Sequence, residues 1–423
     1  MAKYKVYPEY KDSGIEWLGM VPDNWLIKKL KYLCTVQTGS KDTVNAIEEG
    51  LYPFFVRSQI IERINTIGAD CEAVLTAGDG VGVGKVYHYY NGKFDFHQCV
   101  YMLNEFKSIT GRFVYYYLSS NFYKVALEGN AKSTVDSLRL PQFLNFEFSV
   151  PNDEEQKSIT SFLDHETAKI DNLIEKQQQL IELLKEKRQA VISHAVTKGL
   201  NPDVPMKDSG VEWLGLISGR CSLIKLKYLV FLKIVKLIDH NSQYVGMENI
   251  SSGTGKLLTK YELIPEGASI SFDCGDVLFG KLRPYLAKSW LATFSGVCSS
   301  EFLVFHTRVL HPKFLNYYLL ANEFVKQVDS STYGSKMPRA NWDFIGQLPV
   351  PTWSYEESEA IATYLDSITF KLGNLLEKQY QQVRFLQERR TALISAAVTG
   401  KIDVRNWVAP NACEAEVSQE VAA

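Results

Sequence analysis

Apolar residues recur at three- and four-residue steps through two long stretches of the chain. The first carries Ile159, Leu163, Ile170, Leu173, Ile174, Leu180, Leu184, Val191 and Val196. The second carries Ile361, Leu365, Ile368, Leu372, Leu375, Leu376, Val383, Leu386, Leu393 and Ala397. That period puts one apolar stripe on an α-helix, so each stretch reads as a single long helix. No proline or glycine interrupts 153–198, and Gly373 is the one break in 356–399. Glutamate, glutamine, lysine and arginine fill the other faces. Each helix stops beside a glycine, Gly199 or Gly400, the residue best suited to the left-handed turn of a helix C-terminus. Pro202 then blocks continuation of the first. About 45 residues at about 1.5 Å each make a rod of roughly 65–70 Å. Two such rods bury their stripes best against each other, which predicts an antiparallel coiled coil; one such helix alone would also fit an ordinary core-packing helix, and two homologous ones favour the paired rod.

Elsewhere the pattern shortens to β-like runs separated by turns. Tyr52-Pro-Phe-Phe-Val56, Ala73-Val-Leu-Thr76 and Lys85-Val-Tyr-His-Tyr-Tyr90 read as strands, with the glycine-rich turn Gly78–Gly84 between the last two. Phe113–Leu118 and Lys313–Leu319 read as corresponding helices. The chain also repeats itself. Lys11-Asp-Ser-Gly-Ile-Glu-Trp-Leu-Gly19 returns as Lys207-Asp-Ser-Gly-Val-Glu-Trp-Leu-Gly215, and Lys29–Leu33 returns as Lys225–Leu229. The helical blocks repeat too: Leu163-Asp164 matches Leu365-Asp366, Glu175–Gln177 matches Glu377–Gln379, and Ala195–Thr197 matches Ala397–Thr399. A Val-Pro pair (Val150-Pro151, Val350-Pro351) opens each block. The inserts at about 34–149 and 230–349 resemble each other far less. A duplicated frame holding two divergent modules is the pattern of a two-part reader.

These features predict an α/β fold with two globular domains (1–150 and 201–350) and two spacer helices (151–200 and 351–402). An acidic, flexible tail (403–423) follows, and the internal repeat is pseudo-twofold. Hydrophobic residues make up 46% and charged residues 22% of 423, an ordinary globular composition. There is no apolar run of about 18 residues for a membrane span and no apolar leader at the N-terminus. Seven scattered cysteines, none in a CxxC pair, fit reduced thiols in the cytoplasm. Net charge is −2, although residues 222–350 hold 14 lysines and arginines against 10 acids, and residues 25–150 hold 13 against 12. Charge alone therefore favours a nucleic-acid partner only weakly.

Catalytic motifs are few. Gly275-Asp-Val-Leu-Phe-Gly280-Lys281 has phosphate-loop spacing, but Leu282 stands where Ser or Thr should ligate Mg²⁺. Asp95 with Glu105-Phe-Lys107 loosely resembles a nuclease carboxylate set. Nothing resembles a methyltransferase Asn-Pro-Pro-Tyr motif, a metal-ligand spacing among the seven histidines, or a Ser or Cys nucleophile motif. What remains is recognition chemistry. Lys281, Arg283, Tyr285 and Lys288 mix cations with a ring near a glycine-bearing turn, and Lys336 and Arg339 form a second basic loop. Lys85, His88, Lys132 and Arg139 are the counterparts in the first module. Each alone reads as a solvated charge; together, on paired modules, they favour nucleic-acid contact. An enzyme carrying its own nuclease and a protein-binding coiled-coil scaffold are the rival readings.

The two Lys-Asp-Ser-Gly-(Ile/Val)-Glu-Trp-Leu-Gly segments resemble the specificity subunits of Type I restriction-modification systems. So do Gly-Asp-Val-Leu-Phe-Gly-Lys-Leu-Arg-Pro-Tyr-Leu, Tyr-Gly-Ser-Lys-Met-Pro-Arg and the two helices ending in Ala-Val-Thr. The resemblance spans nearly the whole chain. It implies a DNA-binding subunit with no catalysis of its own, whose two target-recognition domains each read half of a bipartite, asymmetric site on double-stranded DNA. It implies as partners two methyltransferase subunits docked on the helices and restriction/translocase subunits, with no membrane. S-adenosylmethionine, ATP and Mg²⁺ would be bound by those partners and no cofactor by this chain. The first domain departs from the pattern: Gly80-Val-Gly-Val-Gly-Lys85 replaces Leu-Phe-Gly-Lys-Leu-Arg-Pro, and Ser133–Arg139 replaces Gly-Ser-x-x-Pro-Arg.

Overall fold

The computed structural model describes residues 4–124, 137–237, 242–258, 269–334 and 336–409. Lys132, Cys413 and most of the acidic tail lie outside them. The chain divides into two compact units, Met1–Gln177 with Gln381–Ala423, and Gln178–Tyr380.

The first unit opens with a hairpin of β1 (Tyr10–Asp12) and β2 (Met20–Pro22). Next come β3 (Leu26–Lys29), β4 (Thr35–Thr38), β5 (Tyr52–Phe55), β6 (Glu62–Ile64), β7 (Ala69–Ala77), β8 (Tyr87–Phe96) and β9 (Val100–Asn104). After them run α1 (Gly111–Asn121), α2 (Leu140–Leu144) and β10 (Glu147–Val150). Six strands form one sheet in the order β4-β9-β7-β8-β5-β6, antiparallel except for the β5–β8 pair; β10 pairs with β3. β7 ends in Val74–Ala77, buried as a continuous apolar run apart from Thr76, because both its faces are covered.

The long helix α3 (Asp153–Lys198) follows without a break. The second unit then repeats the plan. It contains β11 (Met206–Asp208), β12 (Leu216–Ser218), β13 (Ser222–Lys225), α4 (Leu226–Leu229), β14 (Phe231–Lys233), β15 (Lys236–Leu237), β16 (Tyr244–Val245) and β17 (Ser269–Phe272). It continues with β18 (Val277–Gly280), β19 (Ser289–Leu291), β20 (Gly296–Cys298), β21 (Phe302–His306), α5 (Pro312–Leu319), α6 (Asn322–Ser330), α7 (Trp342–Ile345) and β22 (Pro349–Thr352). The order β14-β21-β18-β19 reproduces β4-β9-β7-β8, and the parallel β16–β20 pair reproduces β5–β8. The long β7 and β8 of the first unit are here each broken in two, so one six-stranded sheet becomes two four-stranded ones.

The second long helix, α8 (Tyr355–Val398), closes the described elements. Within the first unit the N-terminal part of α3 and the C-terminal part of α8 share one core: Ile159, Phe162, Leu163 and Ile170 pack in a cluster with Leu386, Leu393, Ile394 and Ala397. Asp171 and Arg390 add a bidentate ion pair there, at 2.8 and 3.1 Å. Within the second unit Ile192, Ala195 and Val196 cluster with Ile361, Ala362 and Leu365. The Trp353 indole, just before α8, donates to the Val196 carbonyl near the end of α3, and Lys185 stands over the Tyr380 ring. The two helices therefore run antiparallel inside each unit. The expected stripe is not uniformly covered: Leu173, Leu180 and Leu375 remain more than a third exposed.

Both helices end as the glycines require. Gly199 and Gly400 adopt φ of +76° and +72°; a Cβ at Gly199 would meet Trp353 at 2.7 Å, and one at Gly400 would meet Pro22 at 2.3 Å.

One device fixes each globular module to its long helix. In the first unit the Tyr116 hydroxyl, on α1, donates to Asp164 at 2.6 Å, and Arg112 grips the same carboxylate. In the second, the Tyr317 hydroxyl donates to Asp366 at 2.8 Å, with Lys313 on the other oxygen at 2.7 Å. Thr167 and Thr369 complete the two sets. These equivalent positions show an inherited latch, which orients the sheet and its loops against the helix.

Candidate nucleic-acid interface

In the second unit two chain segments meet beyond the end of β18. Arg283 N–H donates to the Pro338 carbonyl at 2.8 Å, and Ala340 N–H donates to the Lys281 carbonyl at 2.9 Å. Tyr333 and Arg339 exchange backbone bonds at 3.2 and 3.1 Å, and Lys281 N–H reaches the Glu301 carbonyl at 2.9 Å. The two basic loops expected from sequence thus form one surface. Arg283, Tyr285 and Lys336 are exposed on it, Lys281 is half-buried, and Tyr333 and Met337 are exposed beside them. Arg283 has a φ of +50°, unusual for a residue with a side chain, and its turn continues into Pro284. Arg339 is not a loose cation: its Nε and Nη2 grip Glu301 at 3.1 and 2.9 Å. Lys288 is directed inward, its ammonium donating to the Met247 carbonyl at 2.6 Å.

The first unit builds the same joint with different residues. Leu138 N–H donates to the Gly78 carbonyl at 2.9 Å, and Gly78 N–H donates to the Cys99 carbonyl at 2.8 Å. Gly78, Cys99 and Leu138 therefore correspond to Lys281, Glu301 and Ala340. The glycine-rich turn lies tight under a neighbouring loop: a Cβ at Gly82 would come within 2.5 Å of the Arg57 carbonyl. Arg57 pairs with Asp79 at 2.8 Å. Lys85 and Arg139 are exposed. His88 is half-buried, with Nε2 at 2.9 Å from the Ser58 carbonyl, and burial lowers its pKa. The backbone register makes Ser137 the counterpart of Arg339, and Arg139 the counterpart of Asn341; both of the latter precede a short helix. Sequence similarity alone pointed instead to Arg139. Arg57, Asp79 and Glu301 were not singled out from sequence, because their partners lie 22 and 38 residues away along the chain.

Comparison with known proteins places this construction. Residues 22–183 match the family model described as the Type I restriction modification DNA specificity domain. The chain is 25% identical over 415 residues to the Type I restriction enzyme EcoDI specificity subunit of Escherichia coli, covering 93% of this chain and 92% of that protein. It is 23% identical over 432 residues to the Type I restriction enzyme MjaVIII specificity subunit of Methanocaldococcus jannaschii, covering 94% and 98%. Over nearly its whole length the chain is thus similar to Type I restriction specificity subunits. A solved chain from work on complex assembly and conformational transition of the type I R-M system shares its fold, with a TM-score of 0.66 at 14% identity, over 89% of this chain and 98% of the other.

In this fold the fragments of catalytic motifs take other roles. Residues 277–280 of the phosphate-loop-like segment are strand β18, so no loop cradles a phosphate ahead of a helix. Asp95 is buried in β8 and accepts bonds from Thr66 and from the Phe96 N–H. Glu105, past the end of β9, accepts from Thr35, and β7 lies between the two strands. No cluster of three metal-ligating side chains occurs among the described residues. Burial pushes the Cys34 and Cys298 thiols up to about 12, where the nucleophilic thiolate is scarce. Among the described residues no helix is long and apolar enough to cross a membrane.

Proposed function

We propose that the chain is the DNA-reading subunit of a Type I restriction-modification complex, each unit reading one half of a bipartite, asymmetric site. The observation that carries this is the loop joint built twice on one backbone scaffold and furnished with different side chains. A shared scaffold with divergent furniture is what two different half-sites demand. Phosphate contacts from Lys85, Arg139, Lys281 and Lys336 position each module, and side chains that reach base edges specify sequence. Arg283 and Arg339 have the two-pronged geometry that fits guanine in the major groove; Tyr285 supplies apolar contact beside them. His88 and Lys288 act behind this surface by fixing its loops, and Lys132 is assigned to it from sequence alone.

The partners are two methyltransferase subunits, docked on the long helices, and restriction/translocase subunits. S-adenosylmethionine, ATP and Mg²⁺ belong to those partners in this reading. The chain itself catalyses nothing and works in the cytoplasm. The test is methylation mapping of cells carrying the neighbouring methyltransferase, with this gene intact or deleted. A split asymmetric motif that disappears on deletion supports the reading, and exchange of residues 25–150 should then change one half only. A methylation pattern indifferent to the deletion, together with no DNA binding by the reconstituted complex, overturns it.

A further inference from the structure

We propose that Asp79 and Glu301 are positioning residues for sequence recognition: each clamps one arginine, Arg57 or Arg339, so that its remaining N–H donors face the bases of one half-site. The inference rests on the DNA-reading function and deepens it.

Glu301 takes Nε and Nη2 of Arg339, and no other hydrogen bond to its carboxylate is seen among the described residues. A guanidinium has five N–H donors in a rigid plane, so this clamp leaves three that Glu301 does not use. Asp79 takes Nη1 of Arg57 and leaves Nε and Nη2. Both arginine side chains stay about two-fifths exposed, at 44% and 43%, while their acids are more covered, at 34% and 22%. A bare carboxylate on a surface that meets phosphates would repel them. An acid covered by its own arginine fixes a donor plane instead.

A purely structural role explains the pairs less well. The loop segments are already joined by backbone bonds at Gly78–Leu138 and at Lys281–Ala340. The pairs are also not an inherited feature. The Tyr116–Asp164 and Tyr317–Asp366 latches sit at equivalent positions in the two units, as a duplicated structural contact should. The arginine clamps do not: by backbone register Glu301 corresponds to Cys99, Arg339 to Ser137, and Asp79 to Leu282. Two units have arrived at one device, in one place, from different residues. Selection for function at that place accounts for this; common descent does not.

The test uses the specificity subunit reconstituted with its methyltransferase. Equilibrium binding is measured on the cognate duplex and on duplexes carrying each single base-pair change in either half-site. Glu301→Gln keeps the shape of the side chain but can accept through one oxygen only. It should cut discrimination about tenfold at one position of the second half-site and leave the first half-site's discrimination intact. Asp79→Asn should do the reverse. Arg339→Lys keeps the charge, loses the fork, and should flatten the same position as Glu301→Gln. It also serves as the check if Glu301→Gln folds poorly by circular dichroism. Unchanged discrimination in both halves, or the same loss on every duplex, overturns the proposal. Failure of the unaltered complex to bind any DNA overturns instead the function on which it rests.

Discussion

Single side chains in this protein divide between those that hold loops and those that face outward. His88 illustrates the first kind. Its imidazole is half-buried against the Ser58 carbonyl, and burial lowers its pKa below the ordinary 6.5; burial lowers that of His97 in the same unit. Between the folded pKa and 6.5 the unfolded chain holds more protons than the folded one, so stability rises with pH through that window and is lost as pH falls through it. We therefore expect the urea midpoint of the first unit to drop on going from about pH 7.5 to about pH 5.5. His88→Gln, which can still donate to Ser58, should blunt the drop; an equal drop in the variant would assign it elsewhere. Arg283 is of the second kind. Its left-handed backbone is a strain of order 1–3 kcal/mol that glycine would relieve. Arg283→Gly should leave thermal stability unchanged or slightly raised while weakening DNA binding. A stability loss above about 1 kcal/mol would show the side chain to be structural.

At the scale of elements, specific polar contacts add to the shared apolar cores in holding the modules to the long helices. The Tyr116 hydroxyl is buried and bonded to a carboxylate, an interaction typically worth about 1.5–3 kcal/mol. Tyr116→Phe should lower stability by about that much and raise amide hydrogen exchange in α1, with Tyr317→Phe acting likewise in α5. Protection unchanged by either substitution would remove the latch from the account. The helix ends are stricter still. Ala at Gly400 meets both a positive φ and the rigid Pro22 ring, so a loss of about 1–3 kcal/mol is expected in a denaturant titration. By contrast Asp171–Arg390, half in solvent, should contribute no more than about 1 kcal/mol despite its good geometry.

For the whole molecule the relevant quantities are charge and repetition. A net charge of −2 leaves DNA affinity to local basic surfaces. Binding by the reconstituted complex should then weaken linearly in log–log with salt, and Lys336→Ala should reduce that slope by about 1 without altering the motif read. An unchanged slope would place Lys336 off the DNA. Most of the architecture could be read from the sequence because it is local or repeated. Helix period, terminal glycines and duplicated motifs each lie within a few residues or recur outright, and the two helices fall at Asp153–Lys198 and Tyr355–Val398 as their patterns predict. The basic loops were legible for the same reason. What packs on them was not: Arg57 finds Asp79, and Arg339 finds Glu301, through strand order and backbone joints that no spacing announces. Likewise motif similarity makes Arg139 the counterpart of Arg339, whereas the bond from Leu138 to Gly78 sets the register two residues apart. The sequence by itself determined which segments become helices and strands, because periodicity and turn chemistry are properties of neighbouring residues. Tertiary structure alone decided which charges are clamped, which are buried and which face outward, because those depend on residues brought together only when the sheets close.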